Sequence, residues 1–255
     1  MKRAAVWFGL AVLCALVAWG AWPILAGEKH LLAGSPDGNG SYVSVEEGEY
    51  YRIEIKVPER TPLRSALRSE ADERARLAME SALQKFALDF KRDSGVEAIG
   101  EEEKKWMAGR QYEFAAAYQE LTSDRFISYR FDLYQDTGGA HPNGFYRTFV
   151  FNREGEEVRL ENLFVKNADY LALLSAEVTK QVEQEVRERA GEESVSTLFR
   201  DGLTPKTENF ENFVLDGDNL RIYLPPYQVA AYALGPFEAK IPLSTFGSSV
   251  KANIF

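Results

Sequence analysis

The chain has 255 residues, 45% of them hydrophobic and 27% charged, with 30 Lys and Arg against 39 Asp and Glu. Its length and apolar content suffice for one large core or two small ones, and a formal net charge of −9 disfavours nucleic acid or anionic lipid as a partner. Cys14 is the sole cysteine, which excludes an internal disulfide and leaves the fold to be held by its apolar core.

Lys2 and Arg3 precede an uncharged run of 24 residues, Ala4 to Gly27. About 20 apolar residues in a helix cross the hydrocarbon of a bilayer. The basic pair keeps its end in the cytoplasm, and Trp19 and Trp22 suit the outer interface. Residues 1–27 are therefore expected to be a single-pass anchor, with everything after it extracytoplasmic. The alternative is a cleaved signal and a secreted protein, since Ala18-Trp19-Gly20 and Ile24-Leu25-Ala26 offer small-residue cleavage patterns. Lipid attachment is not expected, because Cys14 follows the bulky Leu13 in mid-span. Beyond the anchor there are 28 basic and 39 acidic residues, a net of −11, which would steer a cationic partner.

Residues 28–48 are rich in Gly, Ser, Asp and Asn and read as a flexible tether. Tyr50 to Val57 alternates apolar and polar residues as a half-buried strand does, and Pro58 ends it. Thr61-Pro62 supplies a helix start. Leu63, Leu67, Ala71, Ala75, Ala78, Ala82, Phe86 and Phe90 form one face of a long helix running to about Asp93. Glu101 to Lys105 reads as a solvated loop or turn of helix. Tyr112 to Tyr118, Arg125 to Tyr134 and Phe145 to Asn152 alternate as three strands of an antiparallel meander. Asn167 is expected to cap a second helix with Leu171, Leu174, Val178, Val182 and Val186 on one face, ending near Gly191. A further short helical piece is expected at Val195, Leu198 and Phe199, and Gly202 to Pro205 is read as a plain loop. Asp216-Gly217-Asp218 joins Phe210–Leu215 to Leu220–Leu224 as a hairpin. Phe237 to Leu243 is a last strand, and residues 248–255 a ragged tail. Strands and helices fall in clusters, so the fold class is α+β, antiparallel sheets packed by two main helices.

The loop Gly138-Gly139-Ala140-His141-Pro142-Asn143 carries the strongest local signal. Its glycines tolerate positive φ, Pro142 holds His141 extended, and Asn143 suits a left-handed turn. His141 is the sole histidine outside the tether. A zinc site needs three or four ligands, and a Ser-His-Asp arrangement lacks its Gly-x-Ser-x-Gly elbow. No cofactor, metal or catalytic residue is therefore expected, and His141 is read as tying its own loop together. Asp132, Asp136, Glu113 and Glu120 read as a solvated sheet face rather than a glycosidase pair. Tyr134, Phe145 and Tyr146 beside the loop are candidates for an aromatic platform facing a sugar or a protein. With Gly138, Gly139, His141 and Asn143 they make up the candidate binding residues.

Taken with Pro226-Tyr227-Gln228-Val229-Ala230-Ala231-Tyr232-Ala233-Leu234-Gly235 and Ile241-Pro242-Leu243, the Gly138 loop resembles the RsiV-like extracytoplasmic domains of lysozyme-sensing anti-sigma factors. The non-catalytic N-terminal region of PdaC-type peptidoglycan deacetylases is similar. The resemblance spans roughly Glu49 to Phe246. It implies an N-terminal strand-helix-sheet subdomain over 49–135 and a C-terminal RsiV-like subdomain over 136–247, meeting near the Gly138 loop. It also implies a cell-envelope binding module whose partner is a lysozyme-type cationic protein or peptidoglycan. No deacetylase domain and no sigma-binding segment are expected, since the chain ends soon after Ile241-Pro242-Leu243 and only Met1 to Arg3 precede the apolar run. An envelope enzyme of unrecognised mechanism and a scaffold subunit for other membrane proteins are the alternatives.

Overall fold

A computed structural model describes residues 31–62, 68–107 and 109–254. The expected anchor, the first residues of the tether and the start of the first long helix lie outside them. Among the described residues no helix is long and apolar enough to cross a membrane. Leu31–Phe255 forms one compact unit, α+β in class with two sheets.

The first sheet has six strands in sequence order: β1 (Ser35–Pro36), β2 (Ser41–Glu47), β3 (Tyr51–Pro58), β4 (Tyr112–Thr122), β5 (Ile127–Asp136) and β6 (Asn143–Phe151). The first two overturn the tether reading over 35–47. The Asp37 carboxylate accepts the N–H groups of Asn39 at 2.7 Å and Ser41 at 3.1 Å, which holds its pKa below the ordinary carboxylate value. The Gly, Asp and Asn content is the chemistry of a hairpin turn rather than of a linker. The sheet is also not wholly antiparallel. β3 and β4 run parallel, Tyr51 opposite Tyr112, because the connection between them is the long helix α1 (Arg68–Ser94). Parallel neighbours require a crossover of that kind. The meander β4-β5-β6 is antiparallel as expected.

Helix α1 buries Ala71, Ala75, Met79, Leu83, Ala87 and Phe90. The expected stripe through Ala78, Ala82 and Phe86 is only half-buried, packed at the margin of the same core. Alanines on both stripes leave the facing undecided, and Met79 and Leu83 settle it by volume. Three polar side chains accompany this face inward. Asp72 accepts hydrogen bonds from the backbone and hydroxyl of Thr61, so Thr61 is bound to the body of the helix. Arg76 and Glu80 form a fully buried ion pair at 3.0 Å, and Glu80 also accepts the backbone N–H of Leu31. A short helix α2 (Glu101–Trp106) with no buried residue follows.

The second sheet is β7 (Phe213–Asp216), β8 (Asn219–Leu224) and β9 (Phe237–Pro242), all antiparallel. Helix α3 (Tyr170–Ala190) lays Leu174, Val178, Val182 and Val186 on it, all fully buried. This helix begins two residues later than expected. Asp169 is the N-cap, and Asn167 takes a left-handed turn position at φ +65°. The Gln181 side-chain amide bonds both Lys240 N–H at 2.9 Å and Lys240 C=O at 3.1 Å, covering the outer edge of β9 as another strand would.

The six-stranded sheet continues to Phe151, well past the expected boundary at residue 135. The two sheets meet along β5 and β7, where the buried Ser128 hydroxyl donates to Leu215 C=O at 3.1 Å and accepts Leu215 N–H at 3.0 Å. The final segment is packed rather than ragged. Val250 bridges Phe164, Lys251 N–H bonds Leu163 C=O at 3.0 Å, and Ile254 is buried.

Candidate functional site

The β5–β6 connection, residues 137–142, is built around Gly138. Its N–H donates to Asp136 Oδ1 at 2.8 Å, and its φ is +73°. A Cβ there would stand 2.5 Å from the Trp106 ring and 3.2 Å from Tyr112, so this position demands glycine on both backbone and packing grounds. Gly139 carries no such demand. Its φ is not positive, and the nearest atom to an added Cβ is 3.9 Å away.

His141 does more than hold its own loop. Nδ1 lies 2.9 Å from the Pro142 carbonyl; a carbonyl only accepts, so Nδ1 carries the proton. In the neutral ring Nε2 is then an acceptor, and it takes the hydroxyl of Tyr227 at 2.9 Å. The imidazole stacks on Tyr232 with centroids 3.8 Å apart and planes 15° apart, and the Tyr232 hydroxyl donates to the same Pro142 carbonyl at 3.0 Å. A loop of the first sheet and a loop of the second half are thus joined by three rings and two hydrogen bonds.

Tyr227 is the strained member. Gln228 N–H closes a turn onto Pro225 C=O at 3.2 Å, which puts Pro226 and Tyr227 at its centre. Tyr227 has φ +71°, the value a type II turn asks of a glycine or asparagine. For a large L-residue this costs roughly 1–2 kcal/mol. The surroundings enforce it. Val229 and Ala230 are buried, and Gln228 Nε2 reaches the carbonyls of Gly202 at 3.2 Å and Asn209 at 2.8 Å. An added Cβ on Gly202 would lie 2.1 Å from Gln228 C=O. The 202–205 segment, expected to be a plain loop, is the support under Tyr227. At the far end of the loop, Arg189 donates to Leu234 and Pro236 carbonyls. The outcome is a Tyr227 that is 52% exposed on a base held by these contacts.

The remaining candidates separate by face. Tyr134, opposite Gly144, is 37% exposed. Its phenol pKa is raised by partial burial, then by the nearby Asp136 and Glu113 carboxylates, with Tyr232 also contributing, so Tyr134 borders the cluster. Asn143 is exposed at the start of β6, opposite Gln135. Phe145 points to the helix side and packs on Phe86 at 5.6 Å. Tyr146 lies between the sheets, 5.6 Å from Tyr223, with the Arg130 guanidinium over both rings; burial raises its pKa. Neither Phe145 nor Tyr146 contributes to an exposed platform. Strand alternation sends them to opposite faces, and each face is covered.

Sequence reasoning named Tyr227 and Tyr232 as part of a resemblance but not as site residues, and it missed Trp106. The available signal was Pro225-Pro226 before Tyr227, a turn start followed by an aromatic where glycine is usual. Among the described residues no group of three His, Cys, Asp or Glu side chains is placed to hold a metal ion. An open cleft of about 1320 Å³ at the other end of β5, bordered by Asp124, Arg125, Arg153 and Asp218, includes none of these site residues.

Residues 44–144 match the family described as Deacetylase PdaC, and residues 161–244 match the protein family of unknown function DUF3298. The chain is similar to PdaC-related domains of the extracytoplasmic type. Peptidoglycan-N-acetylmuramic acid deacetylase PdaC of Bacillus subtilis (strain 168) is 31% identical over 106 residues, which take in 41% of this chain and 22% of that protein. The similarity is to a cell-envelope-related protein. Among solved structures, a DUF3298 family member from Bacteroides fragilis NCTC 9343 superposes with a TM-score of 0.57 at 18% identity, covering 88% of this chain and 96% of that one. A second, from Pseudomonas aeruginosa PAO1, gives 0.56 at 15% identity over 90% and 99%. At such identity these two speak for the fold alone. The PdaC-like segment ends just beyond His141, and Tyr227 and Tyr232 lie in the DUF3298-like segment, so the cluster is assembled from both.

Proposed function

We propose that this protein is a non-catalytic binding module of the cell envelope, anchored by residues 1–27 and facing outward, and that its partner is a lysozyme-type cationic protein. The carrying observation is the exposed Tyr227 ring held at positive φ by His141, Tyr232 and Gln228. Strained backbone that its surroundings enforce is concentrated at functional sites, and rigid exposed aromatics are preferred contact residues because they add area at low entropy cost. The net charge of −11 beyond residue 27 and the Asp136 and Glu113 carboxylates beside Tyr134 favour a cationic partner. Peptidoglycan is the second reading, favoured by the similarity to a peptidoglycan deacetylase over residues of its matched segment.

Surface-plasmon binding of the full-length chain to a c-type lysozyme and to soluble peptidoglycan fragments tests this. Lysozyme should bind, and raising salt should slow association while leaving dissociation nearly constant, because steering precedes contact. Tyr227→Ala should lose at least about tenfold in affinity, mostly through faster dissociation. Absence of lysozyme binding at tens of micromolar overturns the proposal, and binding of the fragments alone transfers it to glycan. Protease added to intact spheroplasts should digest the domain; full protection overturns the outward topology. Acetate release from peptidoglycan by the purified chain would overturn the non-catalytic assignment.

A further inference from the structure

We infer that the open edge of β6, residues 143–146, pairs with the same edge of a second copy of this chain, joining two six-stranded sheets about a two-fold axis. The inference does not depend on the binding role proposed for Tyr227. Its basis is the direction of the backbone groups. Val158 N–H bonds Val150 C=O at 2.7 Å, and Asn152 N–H bonds Glu156 C=O at 3.0 Å, so Val150 and Asn152 point away from β5. The register between β5 and β6 runs unbroken from Phe151 to Asn143, and peptide groups alternate sides along an antiparallel strand. Thr148, Tyr146 and Gly144 therefore also turn their N–H and C=O outward. Glu211 lies beside Thr148, its carbonyl accepting the threonine hydroxyl at 3.5 Å. Among the described residues no hydrogen bond reaches the backbone of Tyr146 or Gly144 from another segment, and Gly144 is exposed.

Other edges are guarded. β1 is two residues long and ends in Pro36, and Gln181 covers β9. Residues 143–146 include no lysine, proline or bulge, the devices that keep strand edges apart. An extended backbone is what such an edge binds. Charge selects which one. The stretch carries no charge, and the neighbouring Arg147 is already paired with Glu157 at 2.9 Å. A cationic partner gains nothing there, and a second copy meets no like charge. Antiparallel pairing with Phe145 on the axis sets Gly144 of each copy opposite Tyr146 of the other. The open N–H and C=O groups of both residues are then satisfied in both copies. Gly144, with nothing within 4 Å of an added Cβ, leaves room for the facing tyrosine. The half-buried Phe145 rings meet across the axis as a cross-strand pair.

Sedimentation velocity of the full-length chain in detergent tests this. The wild type should form a dimer as concentration rises, and a monomer at every concentration overturns the inference. Gly144→Pro removes an outward N–H and puts a ring in the path of the second strand, while the bonds to β5 come from its neighbours. It should be monomeric with an unchanged far-UV circular dichroism spectrum. Gly144→Ala, which meets open space, should dimerise as the wild type does. A folded Gly144→Pro that dimerises as tightly as the wild type overturns the inference, since the contact then lies elsewhere. Should Gly144→Pro not fold, crosslinking decides. In a Cys14→Ser background, Phe145→Cys should give a disulfide-linked dimer on mild oxidation, because Cα atoms of a non-hydrogen-bonded pair lie about 4.5 Å apart. Arg147→Cys should not, and absence of the Phe145→Cys crosslink overturns the pairing. Amide exchange at Gly144 and Tyr146 that slows only on adding c-type lysozyme would give the edge to that protein and overturn the second copy.

Discussion

The two long helices each pack one face against a sheet, and they do so by different means. Helix α3 presents Leu174, Val178, Val182 and Val186, an unbroken aliphatic stripe. Helix α1 presents Ala71, Ala75, Met79, Leu83, Ala87 and Phe90, flanked by Asp72, Arg76 and Glu80, all buried. The buried face of α3 is wholly aliphatic, and its burial is non-directional and scales with area, with hydrogen bonds from Gln181 and Arg189 only at its margins. The first half adds a desolvated ion pair, which contributes little net stability. The small residues of α1 would allow two facings; Met79 and Leu83 select one by volume, and the Arg76–Glu80 pair, with Glu80 tied to the Leu31 backbone, is buried along with them.

The sharpest way to break that contrast is to remove one charge. Arg76→Ala should destabilise the protein by about 3–5 kcal/mol, because Glu80 loses its guanidinium in a dry site. Replacing both at once, Arg76→Met with Glu80→Leu, should be near neutral or stabilising. Leu174→Ala in the other helix has no such rescue and should cost about 2–5 kcal/mol. Urea unfolding of the three variants decides the matter. A double variant as unstable as Arg76→Ala would mean that the pair itself, rather than the avoidance of a lone buried charge, holds α1 in place.

A smaller effect separates two adjacent glycines. Gly138→Val meets the Trp106 ring and an unfavourable φ together, and should cost about 1–3 kcal/mol. Gly139→Val, which faces open space, should stay within about 0.5 kcal/mol. Equal melting temperatures for the two would show that the loop is not built on Gly138.

What the sequence disclosed follows the same division. The α3 stripe, the β7–β8 hairpin and the β4-β5-β6 meander were legible because their periods are clean and their turns short. The α1 face is legible in part: Ala71, Ala75 and Phe90 are buried as expected, while Met79, Leu83 and Ala87 take the places expected for Ala78, Ala82 and Phe86, since alanine marks no preference between stripes. The Asp37 hairpin was read as a tether, since turn residues and linker residues have the same composition. The parallel pairing of β3 and β4 depends on a crossover that periodicity cannot orient. At the site, Gly138 and His141 were found because unusual residues cluster in one loop. Their meeting with Tyr227 and Tyr232 depends on contacts some 90 residues apart in sequence. Phe145 and Tyr146 were grouped with them by adjacency, which strand alternation undoes.

The smallest effect on stability, and the most telling for function, belongs to Tyr227. Its left-handed backbone is unfavourable by roughly 1–2 kcal/mol, and asparagine occupies that region readily. Tyr227→Asn should therefore relieve strain while losing the hydrogen bond to His141, a net contribution of about 0.5–1.5 kcal/mol. The two nearly cancel, so unfolding free energy should change by less than about 1 kcal/mol. Tyrosine at this position is then unexplained by folding, and the loss should appear in partner binding instead. If Tyr227→Asn unfolds at much lower denaturant, the ring is a structural brace between the two loops and the surface has no need of a partner to account for it. If stability holds and lysozyme affinity falls, the strain is maintained for recognition.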